Sequence, residues 1–212
     1  LLDIQNKIKL NLSKQTNYKI PKIIAVSKTF NLDHIKPLID HGHLDFGENK
    51  VQEATEKWEI IKSENKSLKL HMVGKLQSNK VKSAIKIFDY IHSLDNDKLA
   101  KKISEEEILQ KKKLKLFIQI NIGKEKQKSG INIAELNDFY HYCKELDLLI
   151  VGLMCLPPAD QDPTEFFKEM NILKQKFKLD DLSMGMSSDY LIASQNFSTY
   201  LRIGTSIFGK RN

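Results

Sequence analysis

The sequence predicts a single (β/α)8 barrel, and three observations support that fold class. Eight short apolar segments alternate with longer amphipathic segments, a pattern typical of βαβ units in a parallel sheet. The 212 residues suit one barrel domain that spans residues 1–212. No G-x-G-x-x-G motif follows any predicted strand, so an open doubly wound sheet is the less well supported alternative.

The predicted elements alternate along the whole sequence. The strands cover residues 22–29, 44–47, 68–74, 90–94, 114–122, 148–156, 182–186 and 201–208. The helices cover residues 33–41, 50–64, 78–88, 98–113, 133–146, 163–177 and 188–195. The sequence ends shortly after the eighth strand, so no helix is expected to follow it. An N-terminal helix over residues 2–12, with apolar residues at Leu1, Ile4, Ile8 and Leu12, is expected to fill the vacant position between strands eight and one.

The composition excludes several classes of protein. Hydrophobic residues make up 41% of the chain, which is too high for a disordered protein, and no segment reaches the roughly 18 consecutive apolar residues of a membrane span. The net charge of +7 comes from lysines interleaved with acidic residues, and the arginines are Arg202 and Arg211 alone. Cys143 and Cys155 lack the spacing of metal or redox sites. We expect a cytoplasmic protein with structural thiols, no metal, no membrane contact and no nucleic-acid partner.

Lys28 is the first candidate for chemistry, because it stands at the carboxyl end of the first strand, where barrels carry their functional groups. The apolar residues 23–26 should bring its side chain to the barrel mouth. Partial desolvation and a nearby cation lower the pKa of a lysine and expose the free amine that attacks an aldehyde. The alternative is a lysine that simply extends from the strand end into solvent.

The ends of the last two strands carry the small, hydroxyl-bearing residues of a phosphate site. Residues 183–187 and 204–206 lie where barrels often bind phosphate through backbone N–H groups, although either segment alone could be a plain turn. Arg202 points toward the same mouth. Against a pyridine ring, its guanidinium would keep the ring nitrogen unprotonated and weaken the ring as an electron sink. The alternative is an ion pair that closes the barrel seam.

Short motifs stand at nearly every strand end, in one order along the chain. They are Ala25-Val26-Ser27-Lys28-Thr29, Phe46-Gly47-Glu48-Asn49 with Val51-Gln52-Glu53, His71 with Gly74 and Leu76-Gln77-Ser78-Asn79-Lys80, His92-Ser93, Glu125 with Lys128 and Gly130, Gly152-Leu153-Met154 with Pro157-Pro158, Ser183-Met184-Gly185-Met186-Ser187 with Asp189, and Arg202-Ile203-Gly204-Thr205 with Ile207-Phe208-Gly209. Together they resemble the pyridoxal phosphate homeostasis protein family, a single barrel similar to the N-terminal domain of alanine racemase.

The resemblance implies that pyridoxal 5′-phosphate is the cofactor and that Lys28 holds it as a Schiff base. It implies that Ser183, Gly204 and Thr205 contact the phosphate. Arg202 would face the pyridine nitrogen. The residues implied to line the rest of the pocket are Asn49, His71, Asn121 and Met154. The implied role is vitamin B6 homeostasis, through buffering or delivery of the cofactor to apo-enzymes met transiently, with an indirect effect on amino-acid balance and no firmly established catalysis.

Two further positions follow from the resemblance. Lys128, in the loop after the fifth strand, is a candidate second amine that helps the cofactor leave Lys28, and the alternative is a solvated lysine in a charged loop. Phe197 occupies a position that the family usually gives to glycine, at the end of the last predicted helix. A left-handed cap suits glycine better, so the path into strand eight is in question.

Two other functions compete with a carrier. A low-activity amino-acid racemase would use the same lysine, but it needs a second acid or base on the opposite face of the ring. Alanine racemase takes that group from a dimer whose interface includes a further domain, which we do not expect here because the sequence ends at Asn212. A nucleic-acid or protein-binding module would make Lys28 a bystander. The charged helices carry no long apolar stripe, so we expect a monomer.

Overall fold

Eight parallel strands close into a barrel in the computed structural model, which describes residues 1–13, 18–125 and 127–209. The strands are β1 (Lys22–Val26), β2 (Asp45–Glu48), β3 (Lys69–Met72), β4 (Tyr90–Leu94), β5 (Lys115–Ile120), β6 (Ile150–Cys155), β7 (Asp181–Ser183) and β8 (Tyr200–Ile203). They pair in chain order, and β8 pairs with β1, where Ile23 lies opposite Leu201. The predicted fold class is confirmed.

Helices connect the strands. They are α1 (Leu2–Leu12), α2 (Leu32–Asp40), α3 (Val51–Glu64), α4 (Val81–Ile87), α5 (Asp97–Gln110), α6 (Leu136–Glu145), α7 (Thr164–Lys176), α8 (Tyr190–Gln195) and α9 (Thr205–Phe208). The side chain of Asn31 caps α2, and that of Asn96 caps α5, by accepting a backbone N–H of the first turn. Within the described residues, no helix has both the length and the apolar character needed to cross a bilayer.

The N-terminal helix has the predicted bounds and packs beside α8. α1 buries Ile4, Ile8 and Leu12, the apolar positions that predicted it. The Asn11 amide donates a hydrogen bond of 3.0 Å to the carbonyl of Leu191 in α8. Because α8 leads into β8, α1 lies where the barrel has a vacant helix position between β8 and β1.

The chain after β8 differs from the prediction. The expected strand over 201–208 ends at Ile203, and α9 follows it, so the expectation that no helix comes after strand eight was wrong. Gly204 leaves the extended conformation, with φ −113° and ψ −76°. Phe208 then turns back and stacks on Phe30 with ring centroids 5.0 Å apart. The apolar pair Ile207-Phe208 had extended the strand pattern in the sequence, although it packs from a helix.

Phe197 adopts a left-handed backbone conformation, which glycine would suit better at this position. Its φ is 65°, and it follows Asn196, the C-cap of α8. The N–H of Ser198 still donates to the carbonyl of Ala193 at 3.1 Å, which is the bond of a Schellman cap. The loop therefore reaches β8 in register, with an aromatic residue in a conformation that glycine adopts more easily.

A chain of polar side chains crosses the otherwise apolar barrel interior. Asp45 Oδ1 lies 3.0 Å from His71 Nε2, and His71 Nδ1 lies 3.0 Å from His92 Nε2. His92 Nδ1 is 2.8 Å from Ser183 Oγ, which accepts a hydrogen bond of 2.7 Å from Arg202. Both imidazoles and the serine are fully buried. This chain of polar side chains starts with Asp45, at the amino end of β2, and ends with Arg202 on β8, near the opposite mouth of the barrel.

Burial determines the protonation of this interior. Burial lowers the pKa of His71, and it lowers the pKa of His92 well below the ordinary value, with further contributions from His71 and Arg202. Both imidazoles are therefore neutral near pH 7. Burial alone would raise the pKa of Asp45, but the hydrogen bond with His71 and the charge of Lys22 make the net shift downward. Asp45 is therefore a carboxylate at the end of the chain.

The cysteines fit the expected structural role. Both Cys143 and Cys155 are buried, and burial raises the pKa of each thiol to about 12. The thiolate, which is the nucleophilic and metal-binding form, is thus strongly disfavoured.

We expect Phe197→Gly to stabilise the protein by about 1 kcal/mol, because it removes the left-handed strain of a residue with a Cβ. The side chain is 53% exposed, so little packing is lost. Urea denaturation measures the change. Phe197→Ala is the control, since it keeps the Cβ and should give no gain. Equal stability of the glycine variant and the wild type would contradict the assigned strain.

We expect the free energy of unfolding to fall as the pH drops below 6.5, the ordinary histidine pKa. Because the folded-state pKa values of His71 and His92 are lowered, the unfolded chain binds protons more readily. The contribution of the two neutral histidines to the free energy of unfolding is therefore fully present above pH 6.5. It declines as the pH falls toward the folded-state pKa values, by at most about 1.4 kcal/mol per pH unit for each histidine. Urea denaturation at several pH values gives the slope. His92→Gln should reduce this slope, and a slope equal to that of the wild type would refute the assignment.

Candidate functional site

A cavity of about 580 Å³ opens at the carboxyl ends of the strands. Lys28, Arg202, Gly204 and Thr205 all line it, so four of the predicted site residues meet in one place. Its remaining described lining consists of Val26, Phe30, Val73, Leu156, Met186, Ser187, Ser188 and Gly209. Cavities of this size, largely apolar with a few convergent polar groups, are typical of cofactor sites.

The turn that carries Lys28 is clamped by α3. Lys57 donates a hydrogen bond of 3.0 Å to the carbonyl of Ser27, and the N–H of Thr29 donates to the Glu53 carboxylate at 2.6 Å. These contacts hold the residues on both sides of Lys28. Thr29 has a φ of 68°, a left-handed conformation that a threonine adopts only when its surroundings impose it. Lys28 itself is half-buried. Its backbone position is therefore fixed from outside the barrel.

A buried carboxylate supports the same turn. Glu48, at the end of β2, is fully buried and accepts hydrogen bonds from Ser27 Oγ at 2.8 Å, Lys57 Nζ at 2.9 Å and Trp58 Nε1 at 3.0 Å. An unpaired charge in such a position would be strongly destabilising, and the ammonium of Lys57 compensates it. The pair of Glu48 and Lys57 therefore links β1, β2 and α3 directly behind Lys28.

Arg202 is a buried cation at the edge of the cavity. Its residue is 5% exposed, and its two terminal nitrogens donate to Ser183 Oγ at 2.7 Å and to the carbonyl of Cys155 at 2.8 Å. Burial lowers its pKa, but a guanidinium remains charged at neutral pH. Among the described residues, no carboxylate lies within 4.0 Å of it, so it does not form the seam-closing ion pair that was the alternative. Arg211 lies outside the described residues.

Ser183 and His71 lie beneath the cavity rather than on its surface. Ser183 ends β7, points into the barrel and uses its hydroxyl between Arg202 and His92, so the phosphate contact that the resemblance implies does not fit this geometry. His71 bonds to His92 and Asp45 and faces the amino end of the barrel. Both side chains reach the cavity only through the polar chain.

The other three implied pocket residues have different surroundings. Asn49 lines a neighbouring cleft of about 380 Å³, beside Lys75. The Asn121 amide donates to the carbonyl of Glu125 at 2.9 Å and accepts from its N–H at 3.1 Å, so it closes the loop after β5. Met154 is fully buried in an apolar cluster that includes Val26, whose side chain borders the cavity from below.

Lys128 lies in the loop after β5, near the cavity rim. Its ammonium is 2.6 Å from the Glu125 carboxylate and donates to the carbonyl of Pro157 at 3.2 Å. Pro157 follows Leu156, which lines the cavity. The loop folds back on β5 through a hydrogen bond from Asn121 N–H to the Ile131 carbonyl. Lys126 in this loop lies outside the described residues.

Sequence reasoning missed the groups that support the site. Glu53 and Lys57 are spaced as an i,i+4 pair on α3, a signal that indicates a salt bridge but not its target. His92 stands in a motif of the resemblance without an assigned role, and Asp45 stands in none. Ser187 and Ser188 follow β7 and line the cavity in the region where Ser183 was expected to act.

Comparisons with known proteins find relatives that match most of the chain. The family profile "Alanine racemase, N-terminal domain" matches residues 5–212. The pyridoxal phosphate homeostasis protein of Pasteurella multocida is 40% identical over 202 residues, which cover 90% of this chain and 87% of that protein. PipY of Synechococcus elongatus, in a structure with PLP bound, has a TM-score of 0.83 and 31% identity, and the match covers 97% of this chain and 100% of that one.

A more distant structure shares the fold alone. Alanine racemase of Clostridium difficile has a TM-score of 0.73 and 16% identity, and the match covers 97% of this chain but 55% of the racemase. The domain profile spans nearly the whole sequence, and the high-identity matches run almost from end to end. The chain therefore belongs to the pyridoxal phosphate homeostasis protein family, whose barrel is that of the alanine racemase N-terminal domain.

Proposed function

We propose that this protein holds pyridoxal 5′-phosphate at the carboxyl mouth of the barrel, joined to Lys28 as a Schiff base. The observation that carries the proposal is the convergence of Lys28, Arg202, Gly204 and Thr205 on one cavity of about 580 Å³. The structure of PipY, a relative solved with PLP bound, supports the same ligand. When bound, the cofactor supplies an aldehyde for the lysine and an electron-withdrawing ring.

The two ends of the cavity suit the two ends of this ligand. Thr205 and Ser187 contribute hydroxyl groups beside Gly204, where an added Cβ would lie 3.3 Å from the carbonyl oxygen of Val26. The backbone is thus closely packed on one side and open toward the cavity on the other. Small residues of this kind bind phosphate through backbone N–H groups and hydroxyls. Arg202 would face the ring, and Ser183 is no longer part of the proposed phosphate site.

The residues around the cavity favour a carrier over a racemase. Arg202 donates from a fixed position, so a ring nitrogen beside it stays unprotonated and withdraws electrons weakly. Of the described residues that line the cavity, Lys28 and Arg202 alone have ionisable side chains, and a guanidinium stays protonated. Racemisation needs a second acid or base on the opposite face of the ring.

The role that we propose is vitamin B6 homeostasis in the cytoplasm, with an indirect effect on amino-acid balance. A monomeric, single-domain carrier would sequester a reactive aldehyde and pass it to apo-enzymes in transient encounters. The curated relatives named as pyridoxal phosphate homeostasis proteins support this role, since the matches cover almost all of both chains.

We also propose Lys128 as the second amine of the release route. Its ammonium is held 2.6 Å from Glu125 and 3.2 Å from the carbonyl of Pro157, one residue from the cavity lining. Lys128 would take the aldehyde from Lys28 by amine exchange: its neutral amine would form a C=N bond to the aldehyde carbon, the C=N bond to Lys28 would break, and the two protons lost by the Lys128 amine would end on the Lys28 amine. Glu125 could accept the proton that Lys128 must lose before it attacks.

We expect borohydride reduction followed by mass spectrometry to locate the pyridoxyl group on Lys28. The purified protein should show a Schiff-base absorbance band that the reduction abolishes, which a binding module without cofactor would lack. Lys28→Ala should remain folded and lose the covalent adduct, because the amine is absent. Lys75→Ala, which changes a lysine of the neighbouring cleft, is the matched control and should keep it. An adduct mainly on another lysine of the wild type would overturn the assignment.

We expect Lys128→Ala to slow the transfer of bound cofactor to an apo-enzyme while it leaves the equilibrium affinity nearly unchanged. Amine exchange at the rim would be lost, and only direct hydrolysis would remain. The rate of reactivation of an apo-aminotransferase measures the transfer. Lys124→Ala changes another lysine of the same loop and should transfer at the wild-type rate. If Lys128→Ala also does so, Lys128 is a solvated lysine with no part in release.

A further inference from the structure

The polar chain from Asp45 to Arg202 has one possible direction of hydrogen bonding. At the first end, Asp45 is a carboxylate and can only accept, so His71 must carry its proton on Nε2. A neutral His71 then accepts at Nδ1, which requires that His92 donates from Nε2. His92 is left with an acceptor at Nδ1, 2.8 Å from the Ser183 hydroxyl.

The other end is consistent with the same direction. A guanidinium can only donate, so Ser183 Oγ accepts from Arg202 and keeps its own O–H free to donate. The Nδ1 atom of His92 lies within reach of that hydroxyl. The direction set at Asp45 is thus satisfied along the whole series, in which every group donates toward Asp45 and both histidines are neutral Nε2–H tautomers.

The chain compensates a charge that has no direct counterion. Arg202 is buried, and no carboxylate of the described residues lies within 4.0 Å of it. A buried cation without compensation is costly. Aligned hydrogen-bond dipoles present their negative ends to the guanidinium, and they connect it to the carboxylate of Asp45 across the barrel. Each link is polarised by the next, which strengthens the whole chain.

Aromatic packing fixes the two imidazoles in the required orientation. The ring of His71 stacks on Tyr90 with centroids 4.3 Å apart and planes at 13°. The ring of His92 stacks on Phe117 at 4.3 Å and 15°. Because both rings are fully buried and held by a stacking partner, Ser183 has one stable direction in which to donate, and Arg202 has one stable position for its acceptor.

We propose that His92, His71 and Ser183 are positioning residues for Arg202. Together they form a one-way hydrogen-bond chain that holds the guanidinium of Arg202 at the cavity. The inference rests on the proposed function in one respect, namely that Arg202 faces the cofactor ring. It assigns Ser183 to the ring end of the site. Loss of the chain should consequently weaken phosphorylated and unphosphorylated forms of the vitamin alike, whereas loss of a phosphate contact should weaken only the phosphorylated form.

The first test concerns the tautomers and needs no added ligand. Nitrogen-15 NMR of the histidine side chains at pH 7 should show His71 and His92 both as neutral Nε2–H tautomers. Ser183→Ala should shift the Nδ1 resonance of His92, because its donor is lost. An Nδ1–H tautomer or a cation at either histidine would overturn the proposal, whatever the cofactor of the protein.

The second test compares dissociation constants for pyridoxal 5′-phosphate and pyridoxal. Ser183→Ala and His92→Phe should each raise both constants about tenfold, the loss of roughly one hydrogen bond to a charged group. Ser183→Thr keeps the hydroxyl and should restore most of the affinity. Thr205→Val should raise only the constant for the phosphorylated form. Ser198→Ala, which removes another buried serine hydroxyl that bonds to the Met184 carbonyl, is the control for general destabilisation and should change neither.

The results distinguish a positioning role of Ser183 from a role as phosphate ligand, and they distinguish failure of this proposal from failure of the proposed function. If Ser183→Ala weakens only the phosphorylated form, Ser183 is a phosphate ligand and the proposal is wrong. The proposal is also wrong if both forms bind Ser183→Ala as tightly as the wild type. If the wild type binds neither form, the proposed function fails, and the NMR tautomers alone decide whether the chain exists.

Discussion

The positive charge of Arg202 is the constraint around which the interior of this barrel is arranged. The guanidinium lies in the barrel wall, where Arg202 is only 5% exposed, and it needs hydrogen-bond acceptors on the sides that it does not present to the cavity. β6 supplies a backbone carbonyl, and β7 supplies Ser183. The path then leaves the wall, because His92 and His71 belong to β4 and β3 on the other side of the barrel. Hydrogen bonds thereby connect this one charge to polar side chains on four other strands, β7, β4, β3 and β2.

Lys28 is held by a different part of the structure. The turn after β1 has a left-handed threonine, and α3 stabilises it through Glu53 and Lys57, while the buried Glu48 ties Lys57 to Ser27. Amino groups that react reversibly with an aldehyde need a fixed approach, since a misplaced nucleophile loses much of its effective concentration. The two halves of the site are thus supported separately: α3 supports the lysine from outside the barrel, and the polar chain supports the arginine from inside.

Local patterns predicted the fold and part of the site. The apolar spacing in residues 1–12 predicted α1 at its observed bounds, and the strand-end rule selected Lys28, Arg202, Gly204 and Thr205. Ser183 was selected by the same rule but points inward, because β7 is only three residues long and the choice of face depends on that single position. The association of Asp45 with His71, and of His92 with Ser183, depends on the stagger of strands far apart in the sequence. Residue spacing along the sequence does not predict how distant strands are staggered. α9 was missed because apolar residues in a short final segment fit a strand as well as a helix turn.

The hydrogen bond between His92 and Ser183 joins β4 to β7, two strands that are not neighbours in the sheet. It therefore spans the barrel interior and connects two strands that share no backbone hydrogen bonds. An engineer who wished to graft a new activity onto this scaffold could exchange loops at the carboxyl mouth other than those that carry Lys28, Gly204 and Thr205, as in other barrels. The amino-terminal rim is a different matter, because a change at Asp45 would alter the electrostatic environment of Arg202 from the opposite end of the molecule. In this barrel, the end that usually serves stability alone is also connected by hydrogen bonds to a charge at the opposite mouth.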